Sequence, residues 1–166
     1  MEKQVLVIMG SDSDWPVMKK AVETLREFGV AFEAHVASAH RTTEQALDLA
    51  RKAHEEGFAV IIAGAGAAAH LPGVLAAVTP LPVIGVPING TALQGVDALY
   101  AMVQMPSGIP VATVAIDGAK NAALLAVQIL SIKENRLRQQ LIEYKRKMAA
   151  EVKAKDEKIQ KLVAEL

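Results

Sequence analysis

Short unbroken apolar runs alternate along this chain with longer stretches in which apolar residues recur every three or four positions. The first kind reads as strands buried on both faces, the second as amphipathic helices. Strands are expected over residues 4–9, 31–37, 59–63, 83–86 and 111–116. Helices are expected over 13–28, 44–56, 93–103 and 119–132, with a short one ending near 78. Gly29 and Gly57 stand where the first two helices should stop, a position that favours a residue able to turn left-handed. Residues 59–63 are apolar throughout, so that strand should be central, whereas 31–37 has Phe32 and Val36 as its apolar members. The helix over 119–132 is rich in Ala and Leu on most sides and should be buried on more than one face. Strands alternating with helices in this way predict an α/β fold: a three-layer αβα sandwich around a doubly wound parallel sheet of about five strands.

The pattern changes near residue 132. Residues 1–132 read as a single α/β domain, and 133–166 as a long C-terminal helical extension. In the extension Leu137, Leu141, Tyr144, Met148, Val152, Ile159, Leu162 and Leu166 keep helical spacing, with Lys155 interrupting the row. A helix this long has too little domain of its own to lie against, so its stripe is expected to pack on a neighbouring subunit. Charge divides at the same place. Residues 1–132 carry 8 Lys and Arg against 12 Asp and Glu, and residues 133–166 carry 10 against 6. The tail mixes both signs along its helix, which suits a solvated face better than a nucleic-acid arm.

Composition removes several classes of function. Apolar residues make up 52% of the 166 and aromatics only 4%, so the core is aliphatic and stacking platforms for single-stranded nucleic acid are not expected. With no cysteine, disulfide and thiolate chemistry are excluded. The longest apolar runs are broken by Gly, Pro or polar residues, so no membrane span is expected. No leader-like stretch precedes the first strand, and the expected location is the cytoplasm.

The chemistry gathers in three loops that leave the carboxyl ends of consecutive strands and therefore open on one edge of the sheet, where ligands bind in open α/β folds. The first is Gly10-Ser11-Asp12-Ser13-Asp14-Trp15-Pro16. Gly10 lets the chain turn tightly, and Ser11 or Ser13 can cap the coming helix. The free N–H groups of that helix start suit a phosphate. The second loop, 38–43, holds Ser38, His40 and Arg41. An imidazole can accept a proton and return it at cellular pH, and a guanidinium offers a fork for phosphate or carboxylate. The third, 64–73, is a floor of small residues whose backbone N–H groups can meet a small anion or a planar group at close range. His70 ends it, either as a second polar contact to the ligand or as a residue that orients the loop. The glycines of that loop have the wrong spacing and place for a dinucleotide fingerprint. No His/Asp/Glu spacing suits a metal, and Ser38 lacks the setting of an acyl-transfer nucleophile.

Six ordered motifs, GSDSDW at 10–15, SAHRT at 38–42, AGAGAAAHLPG at 63–73, PVIGVP at 82–87, VQMPSGIPVATVAI at 103–116 and KNAALLAVQIL at 120–130, resemble the N5-carboxyaminoimidazole ribonucleotide mutase family of purine biosynthesis. The resemblance covers residues 4 to about 132. It implies flavodoxin-like subunits assembled as an octamer, working without metal or organic cofactor on a small ribonucleotide. It also implies functional coupling to a separate ATP-dependent carboxylating enzyme. The reaction implied moves a carboxylate from an exocyclic nitrogen to a ring carbon, by decarboxylation and recarboxylation with a histidine proton shuttle. Carried over by position, Ser11 contacts the phosphate, Asp14 the ribose, and Arg41 the phosphate. His40 is the catalytic histidine, with Ser38 beside the reacting centre. Ala65 and Gly66 hold the carboxylate, and His70 and Leu71 complete their loop.

The chain departs from the family pattern at two positions. Ala67 stands where the family commonly has glycine; if the position needs a positive φ, alanine costs about 1 kcal/mol or more. Thr43 stands where proline is usual, with little consequence expected, since threonine can also open a helix. Two other functions remain open on the residues: a related carboxylase that uses free carbon dioxide, and a non-catalytic nucleotide-binding domain that would need Ser11, Asp14 and Arg41 but not His40.

Overall fold

A computed structural model describes residues 4–166. Five strands, β1 (Val5–Met9), β2 (Phe32–Val36), β3 (Val60–Gly66), β4 (Val83–Ile88) and β5 (Ala112–Thr113), form one sheet in the order β2-β1-β3-β4-β5. Every pairing is parallel. All residues of β1 and β4 are buried, as are those of β3 except Gly66, while β2 at the edge is half-exposed. Six helices accompany them: α1 (Trp15–Glu27), α2 (Thr43–Ala53), α3 (Leu71–Ala76), α4 (Val96–Val103), α5 (Ala119–Leu130) and α6 (Asn135–Ala164). Buried alanines of α2, Leu75 of α3 and Met102 of α4 pack with Leu6, Ile8 and Ile61 on one face of the sheet. Right-handed crossovers put α1, which joins β1 to β2 in the opposite direction, on the other face. The chain thus leaves β1 toward β2 and returns to β3 on β1's other side. The crevice between the loops after β1 and β3 is the switch point where such sheets take ligands.

The helix stops are local. Gly29 (φ 64) and Gly57 (φ 93) turn left-handed after α1 and α2. The N–H groups of Val30 and Phe58 then reach back to the carbonyls of Leu25 and Ala53.

Several boundaries differ from the pattern reading, and four of the differences have a physical reason in the structure. A single 3-10 turn, Asp12–Asp14, precedes α1. β3 runs on to Gly66, so Gly64, Ala65 and Gly66 are ladder residues rather than loop. Small residues were read there as a turn, but they fit because neighbours press close. A Cβ on Gly64 would lie 2.4 Å from Met18 Sδ, and one on Gly66 3.2 Å from the Ile88 carbonyl oxygen. α4 starts at Val96, because Gln94 (φ 54) and Gly95 (φ 86) are both left-handed and cannot belong to a helix. β5 keeps only two residues: the Val114 N–H bonds the Gly85 carbonyl, but it is the Asp117 N–H that bonds the Pro87 carbonyl, so one extra residue on this side breaks the ladder.

The chain divides into two compact units, 1–129 and 130–166. In the second, Arg138 Nη2 donates to the carbonyls of Ser131 and Ile132, at 3.0 and 3.1 Å, ahead of its own helix. The 30-residue α6 buries Leu137 and Leu141, while Val152, Ile159, Leu162 and Leu166 are exposed. No helix among the described residues is long and apolar enough to cross a membrane.

Candidate active site

The first strand-end loop is a capping device built around a buried acid. Ser11 caps the 3-10 turn: its Oγ accepts the Ser13 N–H at 3.3 Å, while Asp14 Oδ2 accepts the Ser11 N–H at 3.0 Å. This reciprocal pair satisfies donors that the turn would otherwise leave open. Asp14 is only 7% exposed. Burial raises its carboxyl above the usual carboxylate range, outweighing the N–H groups of Ser11 and Gly10 that act the other way. Gly10 is not needed for a left-handed turn. Its missing Cβ would sit 3.7 Å from Asp14 Oδ2 and 3.9 Å from the Ala65 Cβ, so glycine here keeps the crevice open.

The second loop is a turn made by Ser38. Its Oγ accepts the N–H groups of His40 (3.3 Å) and Arg41 (3.1 Å). Its own N–H goes to Thr42 Oγ1 at 2.9 Å. The hydroxyl therefore fixes the backbone that carries both His40 and Arg41. Thr43 donates its hydroxyl to the Ala39 carbonyl at 2.8 Å and opens α2.

The third segment leaves β3 at Gly66 through Ala67, whose φ is 52. The conditional cost of alanine at this position therefore applies: the left-handed region costs an L-residue about 1–2 kcal/mol. His70 follows, just before α3, and its Nδ1 lies 2.8 Å from His40 Nε2. The two rings stand edge to face at 84°, with centroids 4.9 Å apart. One proton lies between those nitrogens, and the tautomer decides which ring owns it. Among the described residues His40 Nδ1 has no hydrogen-bond partner.

These three segments surround a cavity of about 330 Å³. Ser11 and Asp14 line it from the first, Ser38, His40 and Arg41 from the second, and Ala65, Gly66 and Leu71 from the third. Of the residues singled out in the sequence, His70 alone stands off the cavity wall, its ring against His40 instead. Among the described residues Arg41 is the one lysine or arginine on the wall, and it also borders a second groove of about 460 Å³ on the β2 side, shared with Ser11 and Ser38. The pattern reading missed Ile88 and Gly90, which line the cavity from the end of β4. The signal was present, since the fourth strand ends on the same edge as the first three. Among the described residues no three His, Asp or Glu side chains come together as metal ligands.

A buried acid on the first strand-end loop, and an arginine and a histidine on the second, thus face one cavity with the small residues at the end of β3. The family model described as AIR carboxylase matches residues 4–151. The chain belongs to this family. A family member named N5-carboxyaminoimidazole ribonucleotide mutase from Pyrococcus horikoshii is 58% identical over 156 residues, covering 94% of this chain and 88% of the relative. One of the same name from Mycobacterium tuberculosis is 54% identical over 163 residues, covering 98% and 94%. Among solved structures of the family, Treponema denticola PurE superposes with a TM-score of 0.85 at 28% identity, covering 94% of this chain and 98% of that one.

Proposed function

We infer that this protein is an isomerase of purine biosynthesis that converts N5-carboxyaminoimidazole ribonucleotide to 4-carboxy-5-aminoimidazole ribonucleotide. The observation that carries the reading is the convergence of Asp14, Arg41 and His40 on one cavity floored by Ala65 and Gly66, in a chain more than half identical to named mutases.

Ser11 and Arg41 bind the phosphate, and Asp14 takes the ribose hydroxyls; the N–H groups of Ser13, Asp14 and Trp15 are spent within the capped turn and Pro16 has none, so the helix start adds little. That remote binding holds the imidazole over the segment 64–71 and orients it for reaction. His40 Nδ1–H gives its proton to the exocyclic nitrogen as the nitrogen–carboxyl bond breaks, and carbon dioxide is released inside the cavity. The ring carbon then forms a bond to that carbon dioxide, and His40 Nδ1 takes the proton from the same carbon. The net change is an isomerisation, so one imidazole serves both steps and ends as it began. His70 supports the cycle: the proton on the line between His40 Nε2 and His70 Nδ1 can sit on either ring. Ser38 holds the turn that presents His40. No step calls for a metal or an organic cofactor.

The enzyme works in the cytoplasm as a homo-oligomer, an octamer, with residues 1–132 as its catalytic domain and the extension 133–166 on a neighbouring copy. Two observations support assembly. α4 buries Ala98 and Met102 on one side and exposes Val96, Tyr100 and Val103 on the other. The distal α6 stripe is exposed as well. The unstable N-carboxylated substrate couples this enzyme to a separate ATP-dependent carboxylating partner.

The test supplies purified protein with the N-carboxylated ribonucleotide and follows product formation by ultraviolet absorbance. Wild type turns over. His40→Asn loses turnover and keeps nucleotide affinity within about threefold, since it removes only the proton carrier. A His40→Asn enzyme with most of the wild-type rate would remove the shuttle. Turnover of the uncarboxylated ribonucleotide with bicarbonate, equal to that of the N-carboxylated substrate, would make the protein a direct carboxylase instead.

A further inference from the structure

We propose that Ala67 is a positioning residue: its left-handed backbone starts the turn that sets the His70 ring against His40. The proposal rests on the reading of His40 as the proton carrier, and it concerns how that carrier is held.

β3 ends at Gly66 and α3 begins at Leu71, so four residues must reverse the chain's course and deliver an imidazole to a ring on another loop. Ala67 (φ 52) makes the first bend. Two successive tight turns follow, the Ala69 N–H to the Ala67 carbonyl and the His70 N–H to the Ala68 carbonyl, both at 2.8 Å. Each closes over three residues, the tightest hydrogen-bonded turn available. His70 emerges with helical backbone (φ −80, ψ −18) as the residue capping α3. Buried Ala69 and Leu71, 1% and 2% exposed, pin the segment on both sides of the histidine. The ring is itself exposed, so packing does not aim it. Its direction follows from the backbone, and the backbone's direction follows from the sign of φ at Ala67. A strained non-glycine residue on a cavity wall is where such a geometric demand is expected.

The experiment separates backbone from bulk. Asparagine tolerates the left-handed region, whereas leucine, of similar size, and β-branched valine do not. Ala67→Asn is expected to keep a kcat roughly tenfold or more above that of Ala67→Leu. Ala67→Leu and Ala67→Val are expected to lose roughly tenfold or more in kcat, with KM within about twofold, because a displaced acid–base group slows chemistry without loosening the sugar-phosphate. Nuclear Overhauser contacts between the His40 and His70 rings, read in substrate-free protein, should persist in the Asn variant and vanish in the Leu variant.

Equal loss in the Asn and Leu variants would make bulk in the cavity the cause and overturn the proposal. So would full kcat, or an intact ring contact, in Ala67→Leu. Should Ala67→Val fail to fold, the Asn and Leu pair decides. The ring contact is read without turnover. A wild-type protein that showed the contact but no mutase activity would therefore refute the functional reading and leave the positioning role tested on its own.

Discussion

Replacing Asp14 with asparagine should pull stability and activity in opposite directions. The carboxylate is nearly fully buried, and one of its oxygens is already committed to the Ser11 N–H at 3.0 Å. Asparagine keeps a carbonyl oxygen for that bond and has no charge to desolvate. The folded protein holds the Asp14 proton more tightly than the unfolded chain, whose value lies near 3.8. From that pH upward, through the raised folded value, the native state carries a proton that the unfolded state has released, so stability falls as pH rises across the window. Above it the buried charge weighs on the fold in full; below the unfolded value the burden is gone. Asp14→Asn should therefore be more stable than wild type at pH 7 and should lose the advantage as the buffer is taken below about pH 4. Activity goes the other way. A hydrogen bond from a ribose hydroxyl to a charged acceptor contributes about 1.5–3 kcal/mol and one to a neutral acceptor about 0.5–1.5. The difference of about 1–2 kcal/mol lowers kcat/KM roughly 5- to 30-fold. Urea titrations at pH 4 and pH 7, paired with the ultraviolet assay, read both quantities. A variant less stable than wild type at pH 7, or one with unchanged kcat/KM, would refute the argument.

Two further outcomes follow from packing. Gly64→Ala forces a methyl to within 2.4 Å of the Sδ of Met18, a side chain with no exposure, and should cost about 1–3 kcal/mol in urea unfolding; Met18→Val in the same protein should restore part of the loss, and strict additivity would count against the collision. Tyr100→Glu, on the exposed face of α4, should leave the circular dichroism of the fold unchanged and shift light scattering toward smaller species; an unaltered mass would exclude that face from the assembly.

The strands were legible because a parallel sheet buries both faces, and β1, β3 and β4 accordingly appear as unbroken apolar runs. Gly29 and Gly57 announced two helix stops for an equally local reason. What stayed hidden depended on contacts between distant residues. That Gly64 and Gly66 belong to a strand is decided by Met18 and Ile88, which no window around residue 65 contains. The late start of α4 depends on a left-handed pair at Gln94 and Gly95, fitted against Ile116. In the site, loops were assigned to a common edge from strand order alone, so Ser11, Asp14, His40 and Arg41 could be grouped before any coordinates. His70 could be placed near them, but its contact with His40 depends on the backbone sign at Ala67.

The two ends of the cavity are built differently, and the chemistry assigned to them explains why. At the end proposed to take the sugar-phosphate, Asp14 is buried and bonded into a capped turn, and Ser11 belongs to the same turn. Such groups cannot reorganise cheaply, which suits binding that must stay constant throughout the reaction. At the end proposed to carry the chemistry His40 is exposed, as is His70 beside it off the wall, and each touches the other through one hydrogen bond. A carboxyl group that leaves an exocyclic nitrogen and arrives at a ring carbon presents two proton positions in turn, and one imidazole must reach both from its held position. Exposure has a cost: carbon dioxide released beside an open cavity mouth escapes into water before the ring carbon captures it. A single chain leaves that mouth lined by exposed His40 and Arg41. The exposed apolar face of α4 follows the β4 end that carries Ile88 and Gly90 on the cavity wall. Closing the mouth with a second copy would bury apolar surface and confine the gas in one step, and so would tie the proposed assembly to the proposed reaction.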